Sequence, residues 1–317
     1  MAQLIKLQDY ITRYELDIYR YPNQYIRLKK QQWKTFEAMV RNPLDPTLPT
    51  REPEKEIQAT KEGSESRLST LIKSFKKKEA DNEELYVGKV SPLAAEMDEE
   101  WELPAVSVHK TPEERKQQFL DSILPLQLKW ASSTIREMSY LQKNYKRETL
   151  LKYFLQRFPD TFFVMYKPIF LVKQAPVELE IILITPNEIF TIHYMDEQEE
   201  SVVLGNNDRF WSIREKENER KIVNPTISLN RMASIIKNIL PQYEVSLPVT
   251  KLLLHPKGYI DISDGPTDIH IIDKRTYETW FEKMRANRLP LKHSQLKAAG
   301  ALLSHCESTY IDRPEWQ

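Results

Sequence analysis

Residues 177–195 read V-E-L-E-I-I-L-I-T-P-N-E-I-F-T-I-H-Y-M, and this stretch decides the fold. An apolar run at residues 179–184 is followed by the turn residues Thr185-Pro186-Asn187-Glu188 and by a second run at residues 189–194. Two β-rich runs separated by turn chemistry predict a β-hairpin. Antiparallel pairing then brings Glu180 close to the residues that end the second strand, His193 and Met195.

Further strands and helices surround this hairpin. Strands are predicted at residues 162–173, near Val202 and Trp211, at residues 249–254 and at residues 268–272. Helices are predicted at residues 225–240, 276–285 and 294–304. Upstream, Thr111-Pro112-Glu113-Glu114 is a typical helix start, Pro125 is expected to break that helix, and residues 128–158 have a mainly helical pattern. Strands in the middle with helices on both sides predict an α/β fold with a mixed central sheet flanked by helices.

The N-terminal region predicts a separate helical unit over residues 1–42. Apolar residues recur on one helical face before and after Pro22, which favours a helical hairpin. They are Leu4, Leu7, Ile11, Tyr14 and Ile18, then Tyr25, Leu28, Trp33, Phe36 and Met39. The second helix also carries Arg27, Lys29, Lys30 and Lys34. That basic face is either an ordinary solvated surface or a docking site for nucleic acid or a protein partner.

Three further segments complete the organisation. Residues 43–110 contain several prolines and dense charge runs, which predict a largely flexible linker. Residues 111–290 form the predicted α/β domain with its preceding helices. Residues 291–317 form a C-terminal helix and tail.

Composition excludes several classes of protein. The 317 residues contain 46 basic and 46 acidic side chains, so any nucleic-acid binding has to come from a local patch. The six glycines form no Gly-x-Gly or Gly-Lys-Ser/Thr motif, which argues against a glycine-rich nucleotide loop. A single cysteine, no leader-like N-terminus and no run of 18 apolar residues predict a cytoplasmic protein with no membrane partner.

An ordered series of residues resembles the nuclease-related domain called NERD, a branch of the PD-D/E-x-K nuclease superfamily. Glu180 matches the acidic residue that opens one strand, and Gly205 and Trp211 match a later glycine and tryptophan. Asn224-Pro225 matches an Asn-Pro pair that opens a helix. The resemblance extends from the helix carrying Glu148 to about Met284. It implies a bacterial protein with a restriction-endonuclease-like fold.

The catalytic pattern of that family is altered here. Where the family has Glu-x-Lys, this chain has His193-Tyr194-Met195. In such nucleases paired carboxylates hold Mg²⁺ and the lysine stabilises charge on the scissile phosphate. Methionine supplies neither function, and histidine suits a hard ion poorly. The resemblance therefore implies a catalytically impaired nuclease relative, a pseudoenzyme with no cofactor, acting in the recognition of DNA, RNA or protein.

Two alternatives stay open. The first is an active Mg²⁺- or Mn²⁺-dependent endonuclease with a rearranged site of Glu148, Glu180 and His193, in which Glu180 is the metal ligand and Lys173 or Lys251 replaces the missing lysine. The second is a protein-interaction scaffold that binds no nucleic acid. Glu148 itself is either a functional acid or a helix glutamate paired with Lys152.

Overall fold

The computed structural model describes residues 1–41, 110–215, 218–263 and 268–313. The predicted linker therefore lies outside the described residues except for Lys110. The strands are β1 Gln3–Leu7, β2 Glu137–Met138, β3 Phe163–Tyr166, β4 Ile169–Val172, β5 Ala175–Glu178, β6 Ile181–Ile184, β7 Ile189–Tyr194, β8 Val202–Gly205, β9 Phe210–Glu215, β10 Asn218–Val223, β11 Val249–His255, β12 Tyr259–Ile262, β13 Ile269–Asp273 and β14 Ile311–Asp312.

The helices share the outer layers of the molecule. They are α1 Arg13–Leu16, α2 Tyr21–Arg41, α3 Pro112–Trp130, α4 Thr149–Arg157, α5 Pro225–Ile239, α6 Tyr277–Arg285 and α7 His293–Leu303, with 3-10 turns at Lys143–Lys146 and Leu240–Tyr243. None of the helices within the described ranges combines the length and apolar character that a membrane crossing requires.

A six-stranded mixed sheet forms the centre, in the order β1-β3-β6-β7-β11-β13. The predicted hairpin is confirmed: β6 and β7 pair antiparallel, with Ile181 opposite Ile192. β11 then pairs parallel to both β7 and β13. The strands that lie between β7 and β13 in sequence, apart from β11, form a second, four-stranded sheet in the order β10-β9-β8-β12.

Helices cover this sheet, as the sequence predicted for an α/β arrangement. α5 packs on β7 and β11, and α4 packs against β3. The helix α5 begins as expected at Asn224, whose side chain accepts a hydrogen bond from the Thr226 N–H, with Pro225 as the first helical residue. Its inward face contains Leu229, Met232 and Ile236, all fully buried.

The predicted N-terminal helical hairpin is wrong. Residues Gln3–Leu7 form a strand that pairs parallel to β3 at the edge of the central sheet. All five are buried, because α3 covers this strand, so their apolar spacing reflects burial rather than a helical face. Of the two helices of the predicted hairpin, only the second has a counterpart of similar length, which is α2. It is anchored by Tyr21 and Tyr25, whose rings meet Trp130 edge-on at centroid distances of 5.7 and 6.1 Å.

Two expectations for the segment before the hairpin are also wrong. α3 continues through Pro125 instead of ending there. Pro125 lies on the exposed side of the helix, where water can satisfy the carbonyl group that loses its donor. Residues 128–158 are helical only at their two ends, since β2 and the 3-10 turn at Lys143–Lys146 lie between α3 and α4. The predicted strand at residues 162–173 is divided at Pro168 into β3 and β4.

A side chain forms hydrogen bonds with two backbone groups on the outer edge of β1. The Gln127 amide is 2% exposed; its Oε1 accepts from the Leu4 N–H (2.7 Å) and its Nε2 donates to the Ala2 carbonyl oxygen (2.7 Å). The same Nε2 donates to the Tyr25 hydroxyl at 2.5 Å. A single buried amide therefore replaces the hydrogen bonds of a missing neighbour strand and joins β1, α2 and α3.

Replacement of Gln127 by leucine is expected to leave Leu4 N–H and Ala2 C=O buried without partners. Each unsatisfied buried group costs about 1–3 kcal/mol, so Gln127→Leu should lower the free energy of unfolding by roughly 2–5 kcal/mol in urea titrations. Gln117→Leu on the same helix is the control, because among the described residues the Gln117 amide bonds to two side chains, Gln156 and Asp121, and to no backbone group. Equal losses in the two variants would contradict this role of Gln127.

Candidate functional site

The centre of the candidate site is a contact between Glu180 and His193. Glu180 immediately precedes β6, and the register of β6 with β7 places it opposite His193. The His193 Nδ1 lies 2.8 Å from Glu180 Oε2 and 3.0 Å from Oε1. Both side chains are partly accessible, with exposed fractions of 34% for Glu180 and 26% for His193. The pairing expected from the sequence is therefore present.

The helix α5 completes the surroundings of Glu180. The Ser228 hydroxyl donates to Glu180 Oε1, and the Glu180 backbone N–H contacts the sulfur of Met232 at 3.3 Å. Burial opposes ionisation of this carboxyl group, but hydrogen bonding and charge from His193, the Ser228 hydroxyl and Arg231 outweigh it. The pKa of Glu180 is consequently lowered from its ordinary value of 4.5.

Neither candidate lysine, Lys173 or Lys251, replaces the lysine that the family pattern has at the position of Met195. Met195 is buried at 3% exposure. Lys251 lies on β11 opposite Thr191, but its Nζ donates to Asn230 Oδ1 at 2.7 Å and forms an ion pair with Asp268. Lys173 lies in the exposed turn between β4 and β5. Neither lysine contacts Glu180 or His193 in the described structure.

Glu148 lies apart from the other two candidates. It is the N-cap residue of α4 and forms no side-chain cap. Its Oε1 accepts a hydrogen bond from the Tyr166 hydroxyl at 2.9 Å, and it does not pair with Lys152. Tyr166 pairs with Ile181, the neighbour of Glu180, so strand alternation directs the two carboxylates towards opposite faces of the sheet. The three-residue constellation of Glu148, Glu180 and His193 is therefore not assembled.

The donor set around Glu180 does not fit a hard divalent ion. Mg²⁺ prefers several oxygen ligands, including one or two carboxylates. Here one carboxylate already accepts from histidine and serine, and no group of three or more His, Cys, Asp or Glu residues in the described ranges is placed to hold a metal. The cluster instead resembles a carboxylate that orients an imidazole.

The remaining motif residues have structural roles around α5. A Cβ added to Gly205 would lie 3.0 Å from the ring of Trp211 and 2.9 Å from Ile262 Cγ1, so the indole packs where only glycine fits. Trp211 Nε1 donates to the Asn206 carbonyl oxygen at 2.8 Å. Asn224 Nδ2 donates to the Asp208 carbonyl oxygen at 2.8 Å while its Oδ1 caps α5. Together these contacts fix the loop between β8 and β9 against the start of the helix that carries Ser228.

Two polar contacts escaped the sequence reasoning. Ser228 follows the Asn-Pro start of α5 by one helical turn, which is the only signal that could have directed it towards Glu180. The other contact joins Ser201 Oγ and His255 Nε2 at 2.9 Å. Both residues are buried, and burial lowers the pKa of His255. A Cβ on Gly258 would lie 2.2 Å from that Nε2, so this pair is enclosed and no substrate reaches it.

Comparison with known proteins gives one partial similarity. No protein-family model matches the chain, and no solved structure matches it. The chain is 34% identical over 129 residues to a protein named RNA 2',3'-cyclic phosphodiesterase from Geobacillus stearothermophilus. The alignment covers 40% of this chain and 36% of the relative, so the chain spans about a third of the length of that curated relative.

The lowered pKa of Glu180 predicts an acid-dependent loss of stability. A carboxyl group with a lower pKa in the folded state stabilises the fold above its unfolded value, here 4.5, and this contribution is lost as the pH falls. Glu180→Gln should therefore flatten the rise of unfolding free energy that accompanies an increase in pH towards 4.5. Glu178→Gln, which removes an exposed carboxylate two residues away, should retain the wild-type slope. Identical slopes for wild type and Glu180→Gln would refute the assignment.

Gly205→Ala is expected to destabilise the protein by about 1–3 kcal/mol, because the new methyl group overpacks Trp211 and Ile262. Thermal and urea unfolding measure the loss. Gly300→Ala in α7 is the comparison: its methyl group meets only Ile18 Cγ2 at 3.2 Å and it gains helix propensity. A neutral Gly205→Ala variant would show that this glycine is not required for packing.

Proposed function

We propose that this chain is a cytoplasmic nuclease-related protein with a restriction-endonuclease-like fold, whose hydrolytic site is impaired and which recognises nucleic acid. One observation carries the proposal: the Glu180 carboxylate is held by His193 and Ser228, with no second carboxylate and no lysine in contact within the described residues. A site of this kind lacks the ligands for Mg²⁺ and the ammonium group that stabilises phosphoryl charge.

The retained scaffold supports recognition rather than hydrolysis. Gly205, Trp211, Asn224 and Pro225 keep their packing and capping contacts, whereas the positions that support metal chemistry hold a histidine and a buried methionine. The name of the relative connects its own activity to RNA, which makes RNA the first nucleic acid to test.

A second function is favoured by the orientation of His193. With Nδ1–H donating to Glu180, the neutral form of the half-buried imidazole has Nε2 as its proton acceptor, which is the arrangement of a general base. Such a group acts without a metal ion: it takes a proton from the water that attacks the phosphorus of a 2',3'-cyclic phosphate. The bond from phosphorus to one ribose oxygen then breaks, and this oxygen takes up the proton from the imidazolium. This reaction is the one that the name of the relative describes.

The test separates these functions with one set of proteins. Wild type, Glu180→Ala, His193→Ala and the control Glu178→Ala are incubated with supercoiled plasmid in Mg²⁺ or Mn²⁺, and with RNA ending in a 2',3'-cyclic phosphate in EDTA. Binding to labelled single-stranded RNA is followed by anisotropy from 50 to 200 mM salt. We expect no metal-dependent nicking, no turnover of the cyclic phosphate, and binding that weakens steeply with salt.

Each other outcome selects a different function. Nicking that needs metal and is abolished by Glu180→Ala but not by Glu178→Ala establishes the active endonuclease. Cyclic-phosphate hydrolysis in EDTA that is lost in His193→Ala establishes the metal-independent phosphodiesterase. Absence of binding even at 50 mM salt rejects nucleic-acid recognition and leaves the protein-interaction scaffold.

A further inference from the structure

We propose that a basic cleft formed by Lys143, Lys146 and Arg147 binds the backbone of single-stranded nucleic acid, with Tyr140 as a stacking surface for a base; this inference rests on the proposed function. The cleft has a volume of about 670 Å³, and its remaining lining residues are Asn144, Glu148 and Thr149. Its residues lie within 128–158, the range for which the sequence predicted a mainly helical pattern.

The local structure explains why the cations point to one side. Lys143–Lys146 form a 3-10 turn, in which residues three apart lie directly above one another. Lys143 and Lys146 therefore lie on the same side of the turn, and Arg147 follows directly as its C-cap residue. Tyr145 between them is 3% exposed and packs edge-on against Tyr10 and Tyr166. The buried tyrosine fixes the backbone of the turn, and with it the positions from which the three cationic side chains extend.

The charge of the cleft is unbalanced. Lys143, Lys146 and Arg147 are exposed and form no ion pair with any part of the chain that the structure describes. The one carboxylate in the lining, Glu148, accepts a hydrogen bond from Tyr166. The first backbone N–H groups of α4, at Thr149, face the same region and add a partial positive charge. In a chain with zero net charge, such a patch attracts a polyanion.

An exposed aromatic residue that is close to the cleft in sequence favours a nucleic acid over free phosphate as the ligand. Tyr140 is 73% exposed, the highest value among the exposed large hydrophobic residues that the structure describes. It is three residues from Lys143, a separation of at most about 11 Å along the chain. Bases stack on such rings whatever their sequence, and phosphates bind the neighbouring cations. This pairing of an exposed ring with a cationic cleft is typical of single-strand recognition.

The competing surface is the basic face of α2, where Arg27, Lys30 and Lys34 are exposed and spaced along one side of the helix. The aromatic residues of that helix pack inward: Phe36 is buried and Trp33 meets Phe119 at 4.8 Å. The face supplies a control with the same change in net charge.

The experiment compares two triple variants of the full chain by anisotropy with a labelled 20-nucleotide single-stranded RNA. In the cleft variant Lys143, Lys146 and Arg147 are replaced by glutamine; in the control variant Arg27, Lys30 and Lys34 are replaced by glutamine. Loss of three phosphate contacts should weaken binding about 100-fold at 0.1 M salt and reduce the salt slope by about 2. The control should change affinity by less than about threefold.

Two single variants guard against a trivial loss of folding. Tyr140→Ala should weaken RNA binding at least about fivefold. Glu148→Gln removes the one carboxylate and is expected to strengthen binding, a gain that no misfolded protein gives. Inorganic pyrophosphate and double-stranded DNA are run as competitors; if pyrophosphate competes at equal phosphate concentration, the cleft is a phosphate site and not a strand-binding site.

The outcomes distinguish this inference from the function it rests on. RNA binding that persists in the cleft variant, or that falls equally in both triple variants, overturns the cleft assignment and leaves recognition at another surface. Absence of binding by the wild type overturns both proposals.

Discussion

The central sheet ends at a strand whose outer backbone groups bond to a side chain instead of to another strand. A primary amide offers one acceptor and two donors in a plane, which is the geometry that a neighbouring β-strand presents. Gln127 therefore closes the edge at β1 without exposing it to another chain. Because the same amide reaches Tyr25, the position of α2 and the aromatic group around Trp130 depend on this edge being closed.

A similar constraint governs the end of the hairpin. A carboxylate next to a strand as apolar as β6 has to be compensated, because an isolated buried charge is costly. In metal-dependent nucleases the ion provides this compensation. Here a histidine and a hydroxyl group hydrogen-bond the Glu180 carboxylate. Gly205, Trp211 and the Asn224-Pro225 cap fix the start of α5, the helix from which Ser228 reaches Glu180.

The sequence was sufficient for elements with strong local signals. The hairpin at Thr185-Pro186-Asn187-Glu188 and the cap at Asn224-Pro225 follow from turn and capping chemistry, and the structure confirms both. The pairing of Glu180 with His193 followed from hairpin register. The prediction of a helix at β1 failed because five buried residues carry no alternation. Lys6 among them is neutralised by Glu15 and donates a hydrogen bond to the hydroxyl group of Ser308, which lies far from it in sequence. Ser228, His255 and the cleft at Lys143 depend on tertiary packing, which periodicity does not encode.

The parallel pairing of β1 with β3 also means that the first strand has to wait for its partner during biosynthesis. Gln3 bonds to the Asp160 carbonyl oxygen across 157 residues of sequence. At translation rates of 5–20 residues per second, the ribosome needs roughly 8–30 s to deliver that partner after the first strand has been made. During this interval Leu4, Ile5 and Leu7 have no sheet to enter, so the nascent chain presents an apolar segment that a chaperone can shield until β3 emerges.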